Sequence, residues 1–87
     1  MKNLVVSGFI ENGLMRIRLN DVVIIDGSGD FETELDPNTE NLITWYVEGK
    51  PKSSFRITIS SPAESSFQIN KALSLRGKET GVHIVQT

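Results

Sequence analysis

The densest run of side-chain oxygens is Asp26-Gly27-Ser28-Gly29-Asp30-Phe31-Glu32, in which Asp26, Ser28, Asp30 and Glu32 alternate with other residues. Hard Ca²⁺ takes roughly six to eight oxygen ligands, and a chain that bends through glycine can turn several inward. Those four residues are therefore candidate Ca²⁺ ligands. The run lacks the glycine after the third ligand and the distal bidentate Glu of the usual calcium loop. The same residues suit a Gly-rich hairpin turn in which Asp26 and Asp30 bond nearby amides, and that turn needs no metal.

Other candidates are sparser. Glu32 and Glu34 lie two apart, about 7 Å on one face of a strand. That spacing is compatible with acid–base glycoside hydrolysis, and equally with a solvated strand face. His83 is the only histidine, so there is no two-histidine metal site, and a Ser-His-Asp triad would have to use it. It alternates with Val82 and Ile84, as a hydrogen-bonded or solvated strand residue does. None of the nine serines lies in a nucleophile-elbow motif, and the absence of cysteine excludes thiol catalysis, thiolate metal sites and disulfides. Tyr46 alternates with Trp45 and so faces away from it. With Arg56 and Thr58 it could form an aromatic and polar surface for a protein or a sugar, or it could simply cover a sheet face.

Charge is divided along the chain. Between Asp21 and Glu48 there are eight carboxylates and no Lys or Arg, so a net charge of −2 hides a segment of −8. Either basic strands neutralise the acidic segment inside the fold, with Arg16 and Arg18 or Arg56 and Lys71 beside Glu32 and Glu34, or an acidic face meets a basic partner. Isolated basic residues speak against nucleic acid, which wants clustered Lys and Arg. No apolar run reaches the length of a membrane helix, and the one near the N-terminus is too short for a signal peptide, so membrane insertion is not expected and no compartment is indicated.

The elements that must position these groups are strands. Apolar residues alternate with period two nearly throughout, punctuated by Gly, Pro, Asn and Asp. Leu4, Val6 and Ile10 precede Asn12-Gly13, then Met15, Ile17 and Leu19 alternate with Arg16 and Arg18, which reads as a hairpin. Val22 to Ile25 is a strand covered on both faces, Phe31, Thr33 and Leu35 form another, and Asp36-Pro37-Asn38-Thr39 is a turn. Ile43, Trp45 and Val47 share an inward face, followed by Phe55, Ile57 and Ile59. Residues 61–76 carry two signals. Ser61-Pro62-Ala63-Glu64 resembles a helix start, but Phe67, Ile69, Leu73 and Leu75 share one strand parity, which favours a strand after at most one helical turn near Pro62. A last strand covers 82–86.

Ile43-Thr44-Trp45-Tyr46-Val47-Glu48-Gly49-Lys50-Pro51 resembles the core-tryptophan strand and following turn of immunoglobulin domains. Arg56-Ile57-Thr58-Ile59-Ser60 is similar to a later strand of that family, and the stretch from Ser74 to Val82 to the corner before its penultimate strand. The resemblance spans residues 43–85 and implies a two-sheet sandwich with Trp45 between the sheets and an Arg56–Glu79 ion pair beneath the domain. Val85 and His83 stand where the family has its second core cysteine and corner tyrosine.

The expectation is a single all-β domain over residues 1–87, an immunoglobulin-like antiparallel sandwich of about seven to eight short strands with Trp45, Phe9, Phe31, Phe55 and Phe67 in its core. So small a domain has little room for a substrate cleft beside its core. The expected function is a non-catalytic interaction or structural module, without a cofactor, that binds a protein partner or itself through a sheet edge or face. The alternative is a Ca²⁺- or carbohydrate-binding module.

Overall fold

The computed structural model describes residues 2–87. The alternating segments form eight strands: β1 Lys2–Ile10, β2 Gly13–Leu19, β3 Val22–Asp26, β4 Gly29–Leu35, β5 Glu40–Gly49, β6 Ser54–Ser61, β7 Phe67–Ala72 and β8 Lys78–Gln86. A 3-10 turn at Ala63–Ser65 is the one helical turn near Pro62, and β7 follows it. The strands make two antiparallel four-stranded sheets, β4-β1-β6-β7 (sheet A) and β3-β2-β5-β8 (sheet B).

The period-two pattern sets burial. On β5, Ile43, Trp45 and Val47 are buried while Leu42, Thr44, Tyr46 and Glu48 point outward. Facing rows from both sheets close one core, including Leu4, Val6, Met15, Ile17, Ile25, Phe55, Ile57, Ile59 and Val85. Phe55 is fully buried, Phe31 and Phe67 pack partly buried against this cluster, and Phe9 is exposed. Phe9 sits on the outward parity of β1 beneath the Arg56 guanidinium, 5.9 Å from its ring centroid.

Several sequence expectations need correction. Val22 to Ile25 is not covered on both faces, because β3 is an edge strand that leaves Val22 and Val23 exposed, and β7 ends at Ala72, so that Leu73 and Leu75 lie beyond the strand, Leu73 buried and Leu75 exposed. Asn12-Gly13 does not close a hairpin. It carries the chain from sheet A to sheet B, with β1 paired to β4 and β6, and β2 to β3 and β5. The hairpin in this region lies one connection later, where β2 and β3 are joined by Asn20-Asp21, both with positive φ. Arg56 does not reach Glu79. Lys71 takes that carboxylate instead, at 2.8 Å, because β7 and β8 are neighbours across the two sheets whereas Arg56 projects from the outer face of sheet A. Nor are Glu32 and Glu34 neutralised by basic strands, because β4 pairs only with β1, which offers them Val5 and Asn3.

The sandwich architecture matches the expectation, while the order of connections is its own. In constant-type immunoglobulin domains the first two strands are neighbours in one sheet; here β1 and β2 belong to opposite sheets. Trp45 does fill the inter-sheet space, over the glycine that lies opposite it, Gly81 on β8.

Candidate functional site

A two-sheet sandwich has four edge strands, and each leaves unpaired backbone groups able to bind another strand. In an antiparallel ladder alternate residues exchange their bonds with the same neighbour. Two bonds flanking β8 set its phase: Thr87 N–H to Thr39 O at 2.9 Å and Gly49 N–H to Gly77 O at 2.8 Å. Odd-numbered residues of β8 thus bond β5, and Lys78, Thr80, Val82, Ile84 and Gln86 direct N–H and C=O to the open side. Gln86 N–H is taken by Ser65 Oγ at 3.3 Å, since the 3-10 turn folds over that end of the strand. The open stretch is 78–84.

The side chains beside this edge are apolar. Val82 and Ile84 are 58% and 50% exposed, and Leu42, directly across from Ile84 on β5, is 39% exposed. They form one aliphatic patch on the outer face of sheet B, bordered by Thr44, Tyr46 and Arg18. On the inner face of the edge, His83 stacks on Phe67 with centroids 4.7 Å apart, and Phe67 in turn meets Trp45 at 5.5 Å.

The other three edges are different. On β4, Glu11 N–H to Ser54 O turns the odd residues of β1 toward β6 and the even ones toward β4. The open residues of β4 are therefore Asp30, Glu32 and Glu34, all carboxylates. β3 is five residues long and its register slips by one against β2 between Ile17 and Arg18, a bulge that breaks the edge. β7 is six residues long and opens through Gln68, Asn70 and Ala72. Charges, shortness and bulges are the usual means of blunting an edge. β8, nine residues long, has none of them along 80–84.

The candidate Ca²⁺ ligands are spread among separate contacts. Asp26 ends β3 beside Arg16, at 3.7 Å from Nε, Ser28 Oγ accepts from Ile10 N–H at 3.0 Å, and Glu32 Oε1 accepts from Asn3 Nδ2 at 2.9 Å. Asp30 and Glu32 belong to β4, outside the turn. Among the described residues no group of three or more His, Asp or Glu side chains converges as a metal site would require.

Tyr46, Arg56 and Thr58 do not form one surface. All three face outward as their parity requires, but Tyr46 is on the outer face of sheet B, and Arg56 and Thr58 are on that of sheet A, across the thickness of the sandwich. Tyr46 Oη–H donates to Glu48 on its own strand, and this bond to a carboxylate raises its pKa above the ordinary 10.0. Thr58 borders a shallow depression of about 320 Å³ that it shares with Ser60, Ser66 and Gln68. His83 Nε2 lies 2.9 Å from Ser65 O, and since a carbonyl only accepts, Nε2 carries the proton. Ser65 Oγ meanwhile bonds Gln86, so among the described residues no nucleophile is paired with the ring.

The β8 edge was legible only as alternation at Val82, His83 and Ile84. That it ends a sheet depends on which strands pair, which no local pattern states. No family model, curated protein or solved structure matches this chain in comparison with known proteins.

Proposed function

We propose that this domain is a non-catalytic interaction module whose binding surface is the open edge of β8 with the aliphatic patch of Leu42, Val82 and Ile84. The carrying observation is the contrast among the four edges: β4 is lined by Asp30, Glu32 and Glu34, β3 exposes Val22 and Val23 but is short and bulged, β7 is short and opens through Gln68, Asn70 and Ala72, and β8 presents a longer run of unpaired backbone beside exposed Val82 and Ile84. An extended segment laid along β8 gains main-chain bonds from Lys78, Thr80, Val82 and Ile84, and its outward side chains cover the patch. Each main-chain bond contributes about 0.5–1.5 kcal/mol net, and burial of the aliphatic side chains adds to that.

The Ca²⁺ alternative has less support, because Asp26, Ser28 and Glu32 each have another contact. If it held, Ca²⁺ would raise the melting temperature and EDTA would reverse the rise. The immunoglobulin resemblance supports the sandwich and the place of Trp45; kinship with that family would need the shared strand order that these sheets lack.

The edge reading is tested by selecting extended peptides from a displayed library against the wild-type chain and re-measuring the winners against Val82→Pro. Proline is tolerated where an edge N–H faces outward, so this change removes one open donor and leaves the bonds to β5 in place. Peptides should lose at least tenfold in affinity. Selected peptides that bind both forms equally would show that the surface lies elsewhere.

A further inference from the structure

We propose that the occupant of the β8 edge is the β8 edge of a second copy of this chain, paired antiparallel about Gly81 to close a two-fold dimer; this rests on the edge reading above. The open residues Lys78, Thr80, Val82 and Ile84 are spaced symmetrically about Gly81. With Gly81 on the dyad, Thr80 pairs with Val82 of the second copy, and Lys78 with its Ile84. Every open N–H and C=O of the stretch is then used, and Gln86, already bonded by Ser65, falls outside the pairing. Registers displaced toward Gln86 would have to dislodge the 3-10 turn.

The chemistry at the dyad fits as well. Gly81 would meet its own copy at a non-hydrogen-bonded position, where the two Cα atoms approach to about 4.5 Å and side chains crowd most. A residue without a Cβ belongs there. On the inner face Glu79 lies opposite His83 of the second copy, and on the outer face Lys78 lies opposite Ile84, so no like charges meet across the pair. Val82 of one copy is diagonal to Val82 of the other, and the two patches of Leu42, Val82 and Ile84 merge across the join. The result is one eight-stranded sheet, β3-β2-β5-β8 continued by its mirror order. The other edges keep the assembly closed, because pairing β8 with β4 of another copy would press Asp30, Glu32 and Glu34 against Val82 and Ile84 and strip water from carboxylates without replacing it.

Light scattering and sedimentation across a concentration series to about 1 mM, the range in which weak self-association shows, decide the point when combined with directed cross-linking. The natural chain has no cysteine, so a mixture of Thr80→Cys and Val82→Cys chains reports register. Expected results are a mass that doubles with concentration, a dimer weakened at least tenfold by Val82→Pro and by Val82→Lys, and mixed-chain disulfides that form faster than those of either variant alone. Circular dichroism and Trp45 fluorescence confirm that each variant is folded. A wild-type chain still monomeric at the top concentration overturns the proposal, as does a dimer indifferent to both Val82 changes, or cross-linking without preference for the mixed pair. The library peptides separate the two ideas. A monomeric chain whose selected peptides depend on Val82 refutes self-pairing and leaves the edge reading in place, whereas a monomeric chain whose selected peptides are indifferent to Val82→Pro removes both.

Discussion

Trp45 is the residue on which the inter-sheet packing turns, and its position depends on what is missing opposite it. A Cβ added to Gly81 would lie 2.7 Å from Trp45 Nε1 and nearer still to two ring carbons. Nε1 is buried without a hydrogen-bond partner among the described residues, so packing alone holds the ring. Gly81→Ala should therefore destabilise the fold by about 1–3 kcal/mol, the usual cost of overpacking a core, read from urea unfolding followed by the single tryptophan's fluorescence. Tyr46, also the only residue of its kind, offers a second test. Its bond to Glu48 favours the protonated phenol, so the folded pKa lies above 10.0. Any stability gained from that bond is present below the unfolded pKa and is lost as pH rises through the folded one. Absorbance titration at the phenolate band should give a midpoint above 10 that falls toward 10 in Glu48→Ala; an unchanged midpoint would show that Glu48 does not hold the proton. Trp45 as a core residue was legible from its size and its parity with Ile43 and Val47. Its dependence on Gly81 was not, because register joins residues distant in sequence, and nothing near Trp45 names its opposite.

At the scale of elements, strands were legible and their partners were not. Alternation is a local property of side chains. Pairing is decided by where each connection sends the chain, and Asn12-Gly13 shows the difference: its composition suits a two-residue hairpin turn, yet the apolar rows of β1 and β2 are buried against each other from opposite sheets. The true two-residue turn is Asn20-Asp21, with φ of 49° and 70°. Such turns favour Asn-Gly because both central residues need positive φ. Asn20 cannot be spared, since its side chain bonds Asn41 Oδ1 and Leu42 N–H, each at 2.9 Å. Asp21 has no such tie, so Asp21→Gly should stabilise the domain by about 0.5–1 kcal/mol through relief of left-handed strain, visible as a higher midpoint in denaturant. Between elements, Lys71–Glu79 ties β7 to β8 at 2.8 Å, but Lys71 is nearly half exposed. A double-mutant cycle with Lys71→Ala and Glu79→Ala should return a coupling under about 1 kcal/mol. A much larger coupling would mean that the pair, and not the Trp45–Phe67–His83 stack, closes this side of the sandwich.

At the scale of the whole molecule, parity tells inside from outside and no more. It placed Tyr46, Arg56 and Thr58 outward, and the crossing between β5 and β6 put them on opposite faces. The acidic segment was legible as a charge imbalance, and pairing gives it a different meaning from mutual neutralisation. Every open residue of β4 is a carboxylate, and among the described residues only Asn3 bonds any of them, through Glu32. A carboxylate beside an open edge loses part of its hydration if another strand docks there, and that loss opposes the docking bonds. On the proposed edge reading, the asymmetry between an acid-lined β4 and an apolar β8 would direct association to the β8 side of the molecule, the exposed Val22 and Val23 of β3 being set on a short, bulged strand. Replacing Glu32 and Glu34 together with valine tests this directly. Valine suits a strand, and both positions are exposed, so the monomer should keep its fold and most of its stability. The outer face of β4 would instead become an open apolar edge on the side away from β8. A chain with two sticky edges on opposite flanks no longer stops at a pair: pairs joined through β8 link onward through β4, or chains add head to tail with β4 against β8. The double variant should scatter light increasingly with time and concentration where the wild type stops at a defined mass, and adding Val82→Pro should slow that growth by removing one of the two edges. If the double valine variant stays as dispersed as the wild type, the carboxylates of β4 do not guard the edge, and the acidic segment needs another explanation.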